Sequence, residues 1–115
     1  MKKSIVFLLA TILLSACFSA KLVTPTQSDV DRVSTKFPDY SLEQLTEGKK
    51  LFEQHCGNCH ALRNPTSRTE EQWKTIVPKM MKKSQRWEHN PITASDADKI
   101  LKNLITMSGH PKGIQ

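Results

Sequence analysis

The chain has 115 residues, 37% of them hydrophobic but only 6% aromatic, and carries a formal charge of +6. That length leaves room for one domain with short appendages and excludes a second domain within it; a core of this size is marginal without further stabilisation. The positive balance is mild and gathers in Lys74, Lys79, Lys82, Lys83 and Arg86, a pattern that does not call for nucleic acid.

The first sixteen residues have their own grammar. Lys2 and Lys3 precede an apolar run from Ile5 to Leu14 that only Thr11 interrupts. About ten apolar residues are too few to cross a hydrocarbon core of about 30 Å, but they suit the middle of a signal peptide. Leu14-Ser15-Ala16-Cys17 follows. It resembles the lipobox of bacterial lipoproteins, and the resemblance implies cleavage of residues 1–16 and acylation of Cys17. An ordinary cut after Ala20 would put the bulky Phe18 where a small residue is needed. Several acyl chains on one cysteine anchor a protein stably, where one chain is marginal. The resemblance therefore places the protein on the periplasmic side of a bacterial membrane. Phe18 stands where an aspartate would resemble an inner-membrane retention signal, which favours the outer membrane in a cell with two.

Residues 17–40 read as the lipidated cysteine and a flexible tether. Phe18 to Tyr40 contains Pro25, Pro38 and many Ser, Thr, Asp and Gln, with no helical or strand period. Twenty-three such residues span typically about 25 Å. The end of this stretch, Phe37 to Tyr40, has the alternative of packing on the domain that follows, residues 41–115.

Ser41-Leu42-Glu43-Gln44 is a capping box that opens a helix to about His55. Leu42, Leu45, Lys49 and Phe52 lie near one stripe, and Gly48 sits inside it. Glycine costs a helix about 1 kcal/mol relative to alanine, a cost that close approach of another backbone explains. Next comes Cys56-Gly57-Asn58-Cys59-His60. Two thiols three positions apart followed at once by an imidazole form the attachment signature of c-type haem. Each sulfur adds across one porphyrin vinyl group, and His60 places a ring nitrogen on the iron. The alternatives for the same residues are a redox dithiol or half of a zinc site; a thioredoxin-like dithiol fold needs strands, for which there is no pattern.

Thr69-Glu70-Glu71-Gln72 is a second capping box. The helix it opens carries Trp73, Ile76, Val77, Met80 and Met81 at offsets that make one apolar stripe. Pro78 lies inside it and is expected to kink or end the helix, leaving Met80 and Met81 at a distorted turn. Thr93 or Ser95 caps the last helix, whose buried stripe is Ala97, Ile100, Leu101, Leu104 and Ile105; Gly109 and Pro111 stop it.

Gly48 and Phe52, four positions apart just upstream of the haem motif, resemble the first helix of class I c-type cytochromes, as does the stretch over residues 41–108 in outline. The resemblance implies an all-α class I cytochrome c fold, about three helices plus loops around one covalent haem c, with the first helix crossing the last at the glycine. It implies that the carbonyl of Pro65 orients His60, and that a methionine before the last helix is the second axial ligand. Glu71 to Met80 also resembles a subset of small bacterial cytochrome c domains in which a tryptophan precedes the ligand methionine by seven positions. That match selects Met80, with Met81 and His89 as alternatives. Met107 precedes no later helix, His55 adjoins the wrong side of the motif, and His110 is near a fraying end. Methionine raises the haem potential relative to histidine.

These features imply a one-electron carrier, lipid-anchored outside the cytoplasm, with no catalytic residues. The basic cluster from Lys74 to Arg86 reads either as a solvated helix face or as a docking surface for an acidic redox partner, where charge raises the association rate more than the affinity. The alternatives are a five-coordinate haem protein acting as sensor or enzyme, and an electron-entry subunit of a larger oxidoreductase.

Overall fold

A computed structural model describes residues 21–57 and 60–113. The expected signal peptide, Cys17 and Cys59 lie outside the described residues. The described residues form four α-helices and one 3-10 turn and contain no strand: α1 Gln27–Arg32, α2 Leu42–Cys56, the turn Pro65–Ser67, α3 Glu70–Trp87 and α4 Ala94–Ser108. The all-α expectation holds.

Local hydrogen bonds set where the three long helices begin. Ser41 Oγ accepts from the Gln44 N–H at 3.1 Å, and Gln44 Oε1 accepts from the Ser41 N–H at 2.9 Å. Thr69 with Gln72, and Thr93 with Asp96, repeat the arrangement. Each box satisfies two backbone donors that a helix start otherwise leaves orphaned.

α4 is the central element and packs against α1, α2, α3 and the 3-10 turn. Its second half is buried on nearly all sides, from Asn103 to Met107. α2 crosses it at Gly48. A Cβ there would collide with the Lys99 carbonyl oxygen and come within 2.8 Å of Asn103 Cβ. Asn103 Nδ2 donates to the Leu45 carbonyl at 3.1 Å across the same crossing. The main core joins Phe52 of α2, Trp73 and Val77 of α3, Ile92, and Ile100 and Leu104 of α4.

Two expectations are corrected. α3 does not end or break at Pro78; it runs on to Trp87. The proline lacks only its own N–H, and the turns beyond it are held by burial of Ser84 and packing of Met81 on the core. The tether expected over residues 17–40 is folded onto the bundle from Leu22 onward. Leu22 is 8% exposed within the main core, while Val30 packs with Leu45 and Met107 in a second cluster flanked by Tyr40. Phe37 and Tyr40 meet edge to face with ring centroids 5.6 Å apart.

A fully buried carboxylate fastens this strap. Asp29 Oδ2 accepts from the Thr26 N–H and hydroxyl at 3.0 and 2.9 Å; Oδ1 takes Arg32 Nη1 at 2.9 Å and His110 Nδ1 at 2.7 Å. Arg32 Nη2 donates onward to the Thr106 carbonyl at 2.8 Å. Burial alone would raise the Asp29 pKa, but the hydrogen bonds from His110, Arg32 and Thr26 outweigh it and hold the carboxyl down at about 2. His110, expected near a fraying end, is one of the residues that closes the fold.

Candidate functional site

The end of α2, the loop after it and the outer side of α3 enclose a cleft of about 360 Å³. Its walls are apolar, with Phe52, Trp73, Ile76 and Ile92 contributing. Phe52 and Trp73 meet edge to face, centroids 6.2 Å apart. Trp73 is locked because its Nε1–H donates to the Pro65 carbonyl at 3.0 Å in the protein interior. Ile92 is held by its N–H, which donates to Ser84 Oγ at 3.0 Å, while that hydroxyl donates to the Met81 carbonyl at 2.8 Å.

Cys56, His60 and Met80 all line this cleft. Cys56 is the last residue of α2 and half-buried. His60 is exposed, with Nδ1 3.0 Å from the carbonyl oxygen of Ala61. The expected acceptor, the Pro65 carbonyl, takes the Trp73 indole N–H and the Arg68 N–H instead. With the His60 proton on Nδ1 toward Ala61, the lone pair of Nε2 is left for another partner.

The apolar stripe of α3 has two edges. Val77 and Met81 press into the core, Met80, Lys83 and Trp87 border the cleft, and Trp73 and Ile76 do both. One residue along a helix is a rotation of about 100°, which turns the two adjacent methionines to different sides of α3 here. Met81 therefore packs on the core and Met80 faces the cleft. Met107 is buried in the second cluster with Val30 and Leu45. His89 is exposed beyond the end of α3 and is not among the cleft residues.

His55 was set aside in the sequence and belongs to the site. It lines the cleft, and its Nδ1 lies 3.2 Å from Glu88 Oε2, both side chains largely buried at 9% and 15% exposure. The available signal was helical spacing: Phe52, His55 and Cys56 sit at offsets of three and four, on one face of α2. Arg63, Arg68 and Lys83 add positive charge, and Trp87, 81% exposed, stands at the rim. Of the basic cluster, Lys74 is engaged by Glu70 at 2.8 Å and Glu71 at 3.1 Å, while Lys79, Lys82, Lys83 and Arg86 are exposed along α3. No protein-family model, curated protein or solved structure matches the chain.

Proposed function

We propose that the chain is a single-haem c-type cytochrome that carries one electron at a time, held outside the cytoplasm by lipid on Cys17. The observation that carries the proposal is the convergence of Cys56 and His60, from one motif, with Met80, twenty positions further along on α3, on one apolar cleft.

The cleft residues fit a porphyrin. Phe52, Trp73, Ile76 and Ile92 offer the dry surface its faces need, and Arg63, Arg68 and Lys83 match the charge of its propionates. Cys56 and Cys59 would hold it by thioether bonds, with His60 and Met80 on the iron. When bound, haem c supplies a one-electron iron couple whose potential the axial ligands tune. The chain's own part is to keep those ligands still. The Ala61 carbonyl orients His60, as an outer hydrogen bond does for a ligating imidazole. The Trp73–Pro65 bond stiffens the wall between the His60 loop and α3. Lys79, Lys82, Lys83 and Arg86, on the helix that carries Met80, would meet an acidic redox partner and speed encounter.

One observation favours a second reading. The His55–Glu88 pair puts a proton-handling couple on the cleft wall, which suits a five-coordinate haem enzyme or sensor. Spectra of the protein from a haem-attaching host separate the two. The carrier reading expects covalent haem that Cys56→Ala with Cys59→Ala abolishes. It also expects a long-wavelength His/Met band in the oxidised protein, and carbon monoxide binding only after Met80→Ala. Rapid carbon monoxide binding by the unaltered reduced protein supports the second reading, and absence of covalent haem overturns both.

A further inference from the structure

The chain from Leu22 onward belongs to the folded domain. Leu22 is buried in the main core, Pro25 is buried, and Asp29 ties α1 to the end of α4 through Arg32 and His110. We propose that this strap mounts the domain directly on the lipid surface, so that a bilayer is the partner of the face at which Leu22 enters the fold. The inference rests on acylation of Cys17 in the function proposed above.

Only Phe18 to Lys21 separate the acylated cysteine from the core. Covalent geometry caps the Cys17–Leu22 separation at roughly 17 Å, and the typical span of so short a chain is about 12 Å. A folded body of about 90 residues has a radius of gyration of about 12 Å and is about 30 Å across. A body that wide on so short a leash cannot turn its far side to the membrane. The face presented to the headgroups holds the recess where Leu22 and Val23 meet Lys49, Asn64 and His110. Lys21 is exposed at the junction, placed to meet anionic headgroups. Had residues 18–40 hung free, their span of about 25 Å would have let the domain tumble.

Neutron reflectometry of the full acylated chain on a supported phosphatidylethanolamine and phosphatidylglycerol bilayer tests the mount. The water layer between headgroups and protein is expected to be thinner than roughly 17 Å. Inserting about twenty Gly and Ser residues after Ser19 leaves the strap intact and is expected to widen that layer to roughly 25 Å or more. Leu22→Asp combined with Asp29→Ala frees the strap and is expected to widen it similarly. A native water layer as thick as that of the insertion variant overturns the mount alone. Mass spectrometry of the Cys17 peptide reads the anchor separately: no acyl chains there overturns the anchor and the mount together.

Discussion

The α2–α4 crossing sets how deeply α2, and with it His55 and Cys56, sits against the rest of the domain, and Gly48→Ala probes it. A methyl group at Gly48 would meet the Lys99 carbonyl oxygen and lie 2.8 Å from Asn103 Cβ. The oxygen is helix backbone and cannot swing aside, and Asn103 is pinned by its bond to the Leu45 carbonyl. Overpacking of this kind costs roughly 1–3 kcal/mol, and a backbone obstacle puts it toward the upper end. The better helix propensity of alanine offsets about 1 kcal/mol. The expected net loss is about 1–2 kcal/mol, or a fall in Tm of about 4–8 °C per kcal/mol for a domain of this size. Denaturant unfolding followed by circular dichroism measures it, with Gly109→Ala as the control. There a Cβ finds its nearest neighbour, Arg32 Nε, at an ordinary 3.5 Å, and little change is expected. A Gly48→Ala protein as stable as the unaltered one refutes the crossing.

Other expectations follow from single contacts. The Asp29 carboxyl is held at about 2 against an ordinary 3.8, so its ion pairing stabilises the fold fully above about pH 4. That contribution, about 2 kcal/mol, is lost as the pH falls from about 4 to about 2; Asp29→Asn removes this slope from acid unfolding curves and lowers stability at pH 7. Trp73→Phe keeps the ring packing but removes the indole N–H from the Pro65 carbonyl, which retains the Arg68 N–H at 3.3 Å, at a cost of about 0.5–1.5 kcal/mol in urea unfolding. Met81→Ala removes half-buried core volume and is expected to cost about 1–3 kcal/mol, below the range for full burial. If Met80 is the iron ligand, Met81→Ala leaves the haem spectrum unchanged.

Much of the site was legible before the fold. Cys56 and His60 announce themselves by spacing, the capping boxes at Ser41 and Thr69 place two helix starts, and the last start is left between Thr93 and Ser95 until the structure selects Thr93. Gly48 marked the crossing because a glycine in a helix needs a reason. The strap was missed because Leu22 and Val30 are isolated apolar residues in a polar stretch. Six-residue α1 has too few turns to show a period, although Thr26 and Asp29 stand at capping-box spacing. Pro78 misled in the other direction: its cost is local, and burial further along α3 outweighed it.

The sequence by itself determined what depends on neighbours three or four positions apart: helix starts, apolar stripes, the order of thiol, thiol and imidazole. Such features follow from backbone hydrogen bonding and side-chain spacing, which travel with the chain. Only the tertiary structure decided the rest. It turned Met80 to the cleft and Met81 to the core, brought Glu88 to His55 across 33 positions, and gave the Pro65 carbonyl to Trp73. It joined Asp29 to His110 across 81 positions, converting an expected tether into part of the domain. Those choices depend on which distant surface buries which residue, and no local pattern records that.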